Sequence, residues 1–330
     1  FCYHWCRAHH EQLQRQIIPP EQLKISCVFC KASVEFVMRI FLIFSLILCA
    51  LSDASAFSKE NHRLITERAI ELLQKKYGED YLSEKEIEQI IKGNLSEESF
   101  NFKALIRPFN KHYFNPDKDS TLWQRNNSID VRFERLVAEF YGQHGRAGFH
   151  RSIGEIIHFI QDAASPSHVV PIAHKEKKDR FDSQQISHLL PNELMEEKYL
   201  QCTAEYPQFL MEKLSRKTLE GLKGKFAVNI EVQGGKVQDS LSWSAFWQQS
   251  STSWFGDYGF LGKSGNKATT DNFLQGEIET GGKIYHIHPS TYDTFTKHQL
   301  DLAVLYTARF IYFAKSLIDE DGEIVDEMEI

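Results

Sequence analysis

Beyond residue 50 the chain has a single cysteine, Cys202, although its 330 residues hold six in all. That part cannot carry an internal disulfide framework, so core packing or a metal must hold it together. Basic residues are not in excess: the net charge is −7, which argues against retention on nucleic acid by a broad basic face. No internal repeat or low-complexity run is evident. With 42% hydrophobic and 25% charged residues the composition is that of an ordinary globular protein, which excludes collagen, long disorder and a polytopic membrane protein. The length allows one large domain or two small ones.

The first Met is Met38, and it opens a basic-then-apolar stretch: Arg39, an apolar run from Ile40 to Leu51, then the small residues Ala54-Ser55-Ala56. The run is shorter than the roughly 20 residues a helix needs to span a bilayer. A secretory signal peptide over 38–56 is expected, cleaved after Ala56, with a signal anchor or a buried helix as the alternatives. Residues 1–37 then read as an upstream gene-model extension, and the protein as exported, secreted or periplasmic, with no transmembrane anchor. Cys2-x3-Cys6 and Cys27-x2-Cys30, with His4, His9 and His10, imitate zinc-finger spacing but fall in that extension, so no metal is assigned there.

The remainder, 57–330, reads as one mostly α domain. Apolar residues recur at helical spacing over Asn61–Tyr77, Val131–Tyr141, Ser152–Ala164 and Leu300–Ile318. Ser83 with Glu86 three residues on is a capping-box pattern opening a helix to Ile91. Leu194–Leu222 reads as one or two helices, with Pro207 as the expected break or kink. Phe226–Val232 and Lys236–Leu241, joined through Gly234-Gly235, read as a hairpin. The hairpin opens a small β-rich insertion or lid over about 223–290. Within it His286 and His288 are expected in a lid or core role, while Trp243, Trp247, Trp254 and Phe255 are either insert core or an interfacial surface.

Chemistry-bearing residues concentrate between 93 and 182. His158 and Asp162 lie four apart on one helix face, and His168 follows Pro166, so a turn can return it to that face. Imidazole nitrogens and carboxylates are zinc ligands. His112 stands in an aromatic run ending in Pro116-Asp117. Glu97 and Glu98 follow a helix, and 174–182 offers His174, Asp179 and Asp182.

Together these segments resemble the zinc-dependent phospholipase C superfamily, which includes the single-strand-specific nucleases. Its pattern GE-x2-H-x3-D-x3-P-x-H is matched by Gly154, Glu155, His158, Asp162, Pro166 and His168, and its H-aromatic-aromatic-x-P-D segment by His112 to Asp117. The family spacing from Gly to carboxylate to His is kept by Gly93, Glu98 and His112, which selects Glu98 over Glu97, with Glu where familiar members have Asp.

The resemblance implies a single-domain helical phospholipase C/nuclease-like fold with three zinc ions. The first would use Glu98, His112, His158 and Asp162. The second would use His168, His174 and a carboxylate: Asp179, with Asp182 as the alternative and His188 with Glu193 as a third choice. The third would use Asp162 as a bridge, His62, and the amine and carbonyl of Phe57, which stands five residues before His62 as the family's free N-terminus does. Asp162 and Glu98 would be catalytic, Glu98 as ligand, general base or both. Glu60 and Phe109 match a carboxylate and an aromatic of a choline pocket. The implied activity is phospholipase C on phosphatidylcholine-like lipids, with a single-strand nuclease or 3′-nucleotidase as the alternative. The expected partner is a phospholipid at a membrane surface. No stable nucleic-acid complex is expected, and the protein is expected to be a monomer.

Overall fold

A computed structural model describes residues 57–96, 113–117, 129–172, 179–195, 205–253, 255–265 and 276–319. The expected extension and signal peptide, and the candidate residues Glu98, Phe109, His112 and His174, lie outside the described residues. One compact unit spans Asp53–Ile330.

Helix α1, Lys59–Tyr77, starts where Ser58 accepts a hydrogen bond from the Asn61 amide at 3.2 Å. It buries Ile65, Ala69, Ile70, Leu72 and Leu73, the apolar face expected from their spacing. Helix α2, Glu84–Ser96, starts with the reciprocal bonds of a capping box. The Ser83 amide donates to Glu86 Oε2 at 2.7 Å, and the Glu86 amide to Ser83 Oγ at 3.4 Å. Helices α3, Ile129–Gly142, and α4, Phe149–Asp162, follow, the latter buried on most of its surface. Two short helices, α5 over Pro166–Val169 and α6 over Arg180–Ser183, lead to α7, Tyr206–Lys223. Pro207 sits in the first turn of α7, where its missing N–H has no intrahelical partner to lose. It therefore stands at the start of this helix, not in its interior.

Strands β1, Lys225–Val232, and β2, Gly235–Ser242, form the expected hairpin, with Val232 paired to Gly235 across the turn. Gly234 and Gly235 take positive φ there (111° and 145°), a conformation disfavoured for side chains with a Cβ. The two-residue strands β3, Trp247–Gln248, and β4, Asp257–Tyr258, pair antiparallel with Trp247 opposite Tyr258. After the four-residue helix α8, Gly262–Gly265, strands β5, Glu277–Thr280, and β6, Lys283–His286, complete a four-stranded antiparallel sheet of order β2-β1-β6-β5. All six strands fall inside the expected β-rich stretch. Helix α9, Pro289–Asp319, closes the fold and begins eleven residues before its expected start. The described residues are thus helix-rich, with a small four-stranded antiparallel sheet and a two-stranded ribbon. Among the described residues no helix is long and apolar enough to cross a membrane.

The tightest packing in the helical layer is the contact of α2 with α4, and it depends on two glycines. A Cβ at Gly154 would collide with the Ile90 carbonyl oxygen and lie 2.6 Å from the Asn94 amide nitrogen. A Cβ at Gly93 would collide with the Arg151 carbonyl oxygen. Both obstacles are backbone, so neither can rotate aside. Gly154→Ala should therefore destabilise the protein by about 1–3 kcal/mol through overpacking. Urea unfolding followed by tryptophan fluorescence would read this as a fall in midpoint with an unchanged slope.

Candidate metal centre

Two helices deliver three titratable side chains to one point. His158 and Asp162 project from the last turns of α4, four residues apart, and His62 projects from the first turn of α1. All three are fully buried. His62 Nε2 lies 3.2 Å from Asp162 Oδ1, and His158 Nε2 lies 3.6 Å from Asp162 Oδ2. The two imidazoles stack, with centroids 4.1 Å apart and planes inclined by 22°. One ligand atom from each of the three side chains lies within 4.8 Å of the other two, and among the described residues this is the one such group of three or more.

The donor set fits a metal ion. Zinc–nitrogen and zinc–oxygen bonds of about 2.0–2.2 Å place neighbouring ligand atoms of a tetrahedron about 3.3–3.6 Å apart. The two separations to Asp162 fall close to that edge. A buried carboxylate costs several kcal/mol unless it is met by a counter-charge, and two stacked imidazoles are better donors to a shared cation than two adjacent cations. The group can therefore hold one metal ion.

The surroundings orient the donors. His62 Nδ1 contacts Gln161 Oε1 at 2.6 Å, and Asn94 Nδ2 donates to the same oxygen at 3.2 Å. The Phe57 ring is buried and meets His62 edge-on at 5.8 Å, and it also packs on Phe181 at 5.6 Å. The segment around residues 57–61 is tied down from outside: the Ser58 amide and Asn61 Nδ2 both donate to the Asp182 carbonyl at 3.0 Å.

His168, on α5, is also buried but is not one of the three grouped side chains. Its ring meets Tyr113 edge-on at 5.0 Å, and its carbonyl accepts from the Phe114 amide at 3.0 Å. The two residues after His112 therefore line His168.

Asp179 and Asp182, the alternatives for one ligand position, are both buried and both engaged by protein donors. Asp179 Oδ1 accepts from the Phe181 amide at 2.8 Å, capping α6. Its Oδ2 accepts from Trp247 Nε1 at 3.2 Å and from the Tyr258 hydroxyl at 2.9 Å. Burial, and then the Asp179 charge, push the Tyr258 phenol far above its ordinary range, so it stays a donor. Asp182 accepts from Ser165 Oγ at 2.8 Å and Ser167 Oγ at 3.2 Å. His188 and Glu193, the third choice, are exposed.

Other candidates sit elsewhere. Glu60 is an exposed carboxylate bonded to Arg63, which holds its pKa below the usual range. His286 is not a core residue: it lies partly exposed on strand β6, 3.3 Å from both Glu231 and Glu277. Trp243 and Trp247 are insert core, whereas Phe255 and Phe260 are exposed. Trp254 lies outside the described residues.

Gln161, Asn94, Thr66 and Thr307 were not anticipated as part of the site. A signal was present for two of them: Thr66 stands four residues after His62, and Gln161 three after His158, so each shares its histidine's helix face. No protein-family model, curated protein or solved structure matches this chain.

Two substitutions separate ligand from anchor. Asp162→Asn should weaken zinc binding more than any other single change, because Asp162 faces both histidines; equilibrium dialysis against zinc reads it directly. Asp179→Ala should strand buried donors and lower unfolding stability by about 1–3 kcal/mol for each donor left without a partner. Zinc stoichiometry measured on Asp179→Ala and Asp182→Ala then tells which of the two, if either, is also a ligand.

Proposed function

We propose that the protein is an exported zinc-dependent phospholipase C, hydrolysing the phosphodiester of phosphatidylcholine-like lipids to diacylglycerol and a phosphorylated headgroup. One observation carries this reading. His62, His158 and Asp162, drawn from two separate parts of the phospholipase C-like pattern, meet in a sealed core at ligand spacing. Bound zinc would supply Lewis-acid polarisation of a phosphoryl oxygen and a water of lowered pKa.

The chain's own residues divide the remaining work. Asp162 turns one carboxylate oxygen toward each histidine, which supports a bridging role between two ions. The edge-on contact of Phe57 with His62 supports a part for residue 57 at the same ion. In the three-zinc reading Glu98 and His112 join His158 and Asp162 at the first ion, and His168 holds the second with His174 and Asp179 or Asp182; the buried position of His168 against Tyr113 supports its part. The buried wall formed by Phe57 against His62, with Phe181 behind it, excludes bulk water and strengthens electrostatic interactions at the donors. The exposed aromatics Phe255 and Phe260 support contact with a phospholipid surface, since exposed apolar rings can bury at the headgroup–acyl boundary.

The deciding experiment is a parallel assay on phosphatidylcholine vesicles and single-stranded DNA, with and without chelator. Release of phosphocholine, abolished by chelation and restored by zinc, is expected. Faster hydrolysis of DNA would assign the nuclease activity instead, and lipid hydrolysis indifferent to chelator would overturn the metal mechanism. Mass spectrometry of secreted protein should find Phe57 as the first residue. An extension preceding it should reduce zinc content, because an amide nitrogen replaces the α-amine as a donor.

A further inference from the structure

Gln161 immediately precedes Asp162 and is fully buried. Its side chain joins α4 to three other helices. Oε1 receives His62 Nδ1 from α1 and Asn94 Nδ2 from α2. Nε2 donates to Thr66 Oγ1 on α1 at 2.9 Å and to Thr307 Oγ1 on α9 at 3.3 Å. Both lone pairs of the oxygen and both hydrogens of the nitrogen are thereby used.

This closure fixes which way the amide points. The Thr66 hydroxyl donates to the His62 carbonyl at 2.9 Å, so toward Gln161 its oxygen is an acceptor and must face the amide nitrogen. In the same arrangement Asn94 Nδ2 donates to the amide oxygen. With the oxygen toward His62, the imidazole nitrogen that meets it has to carry the hydrogen. That leaves His62 Nε2, the atom facing Asp162 Oδ1 at 3.2 Å, to act as the metal donor.

The geometry points to Gln161 as the positioning residue of the metal centre: it locks His62 as the Nδ1–H tautomer and aims Nε2 at the ion. The inference rests on reading His62, His158 and Asp162 as a metal site, and is independent of whether the substrate is lipid or nucleic acid. Metal-bound histidines commonly donate their second nitrogen to a carboxylate or a carbonyl, and loss of that partner costs about 10–100-fold in metal affinity. An amide orients the ring as a carboxylate does, yet adds no second negative charge beside Asp162. The loaded centre therefore keeps more of the ion's positive charge for an anionic ligand such as a phosphoryl group.

The test uses the full chain. Long-range proton–nitrogen NMR on histidine-labelled protein, with His62 identified by its loss in His62→Gln, should show Nδ1 protonated both without and with zinc. Gln161→Leu should weaken zinc binding by about 10–100-fold in a competition titration. Gln161→Glu should restore zinc affinity to within about tenfold of the parent while weakening inorganic phosphate binding to the zinc-loaded protein, the signature of an added charge. An unprotonated Nδ1, or unchanged zinc affinity in Gln161→Leu, would overturn the assignment. If Gln161→Leu fails to fold, the tautomer of the parent and the Gln161→Glu titrations still decide. A parent protein that binds no zinc would defeat the metal reading separately, while the NMR of the metal-free chain still tests the tautomer.

Discussion

The burial of the Asp162 carboxylate is the constraint around which the helical layer is arranged. An ionised carboxylate with no exposed surface costs several kcal/mol unless nearby groups answer its charge. His158 answers from the same helix, one turn earlier, by helical geometry alone. His62 must come from another helix, and holding α1 in place takes a second set of polar contacts through Gln161 and Thr66. Those in turn need α2 close enough for Asn94 to reach the same amide, and the two glycines permit that approach. The polar network and the tightest packing are thus one requirement seen from two sides. A bulkier residue at 154 would push away the helix that supplies a partner for Gln161.

Around this centre the fold buries two further carboxylates and satisfies them differently. Asp179 faces an amide, an indole N–H and a phenol; Asp182 faces two serine hydroxyls. Each joins elements distant in sequence. Trp247 and Tyr258 are partners across β3–β4, so the Asp179 carboxylate fastens that ribbon to α6. The backbone of Asp182 holds Ser58 and Asn61, so the entry to α1, and with it His62, is set from the start of α6. The β-rich stretch is therefore wired into the helical layer through one of its buried acids.

What could be read from the sequence follows from how each element earns its stability. Helices α1, α2, α3 and α4 bury apolar stripes, so their periodicity is visible, and α1 and α2 also carry start signals, of which the Ser83–Glu86 capping box is the clearest. The β1–β2 hairpin was legible from its two glycines. The early turns of α9 were not, because Thr296 and Gln299 occupy buried positions where hydropathy expects apolar residues. Pro207 stands in the first turn of α7, which fits the two-helix form of the expectation in which the chain breaks there. In the site, His158 and Asp162 were legible from their spacing and His62 from the resemblance. Gln161, Asn94 and Thr307 belong to three different helices, and only tertiary packing brings them to one amide.

The same distinction separates the acids by what they face. Spacing paired Asp162 with His158 but left Asp179 and Asp182 as alternatives, since a carboxylate within reach of a histidine in sequence has no further mark. In the fold, Asp179 and Asp182 face groups that bring their own hydrogens, and a carboxylate so supplied is stable without an ion. Asp162 faces two imidazole nitrogens, and for His62 the hydrogen of the ring is committed to Gln161 on the far side. A His62 lone pair directed at that carboxylate favours a cation between the two, whether a proton or a metal. Asp162 is thus the buried acid that stands beside paired imidazoles, and Gln161 is the side chain that sets the nearer ring, His62, toward it.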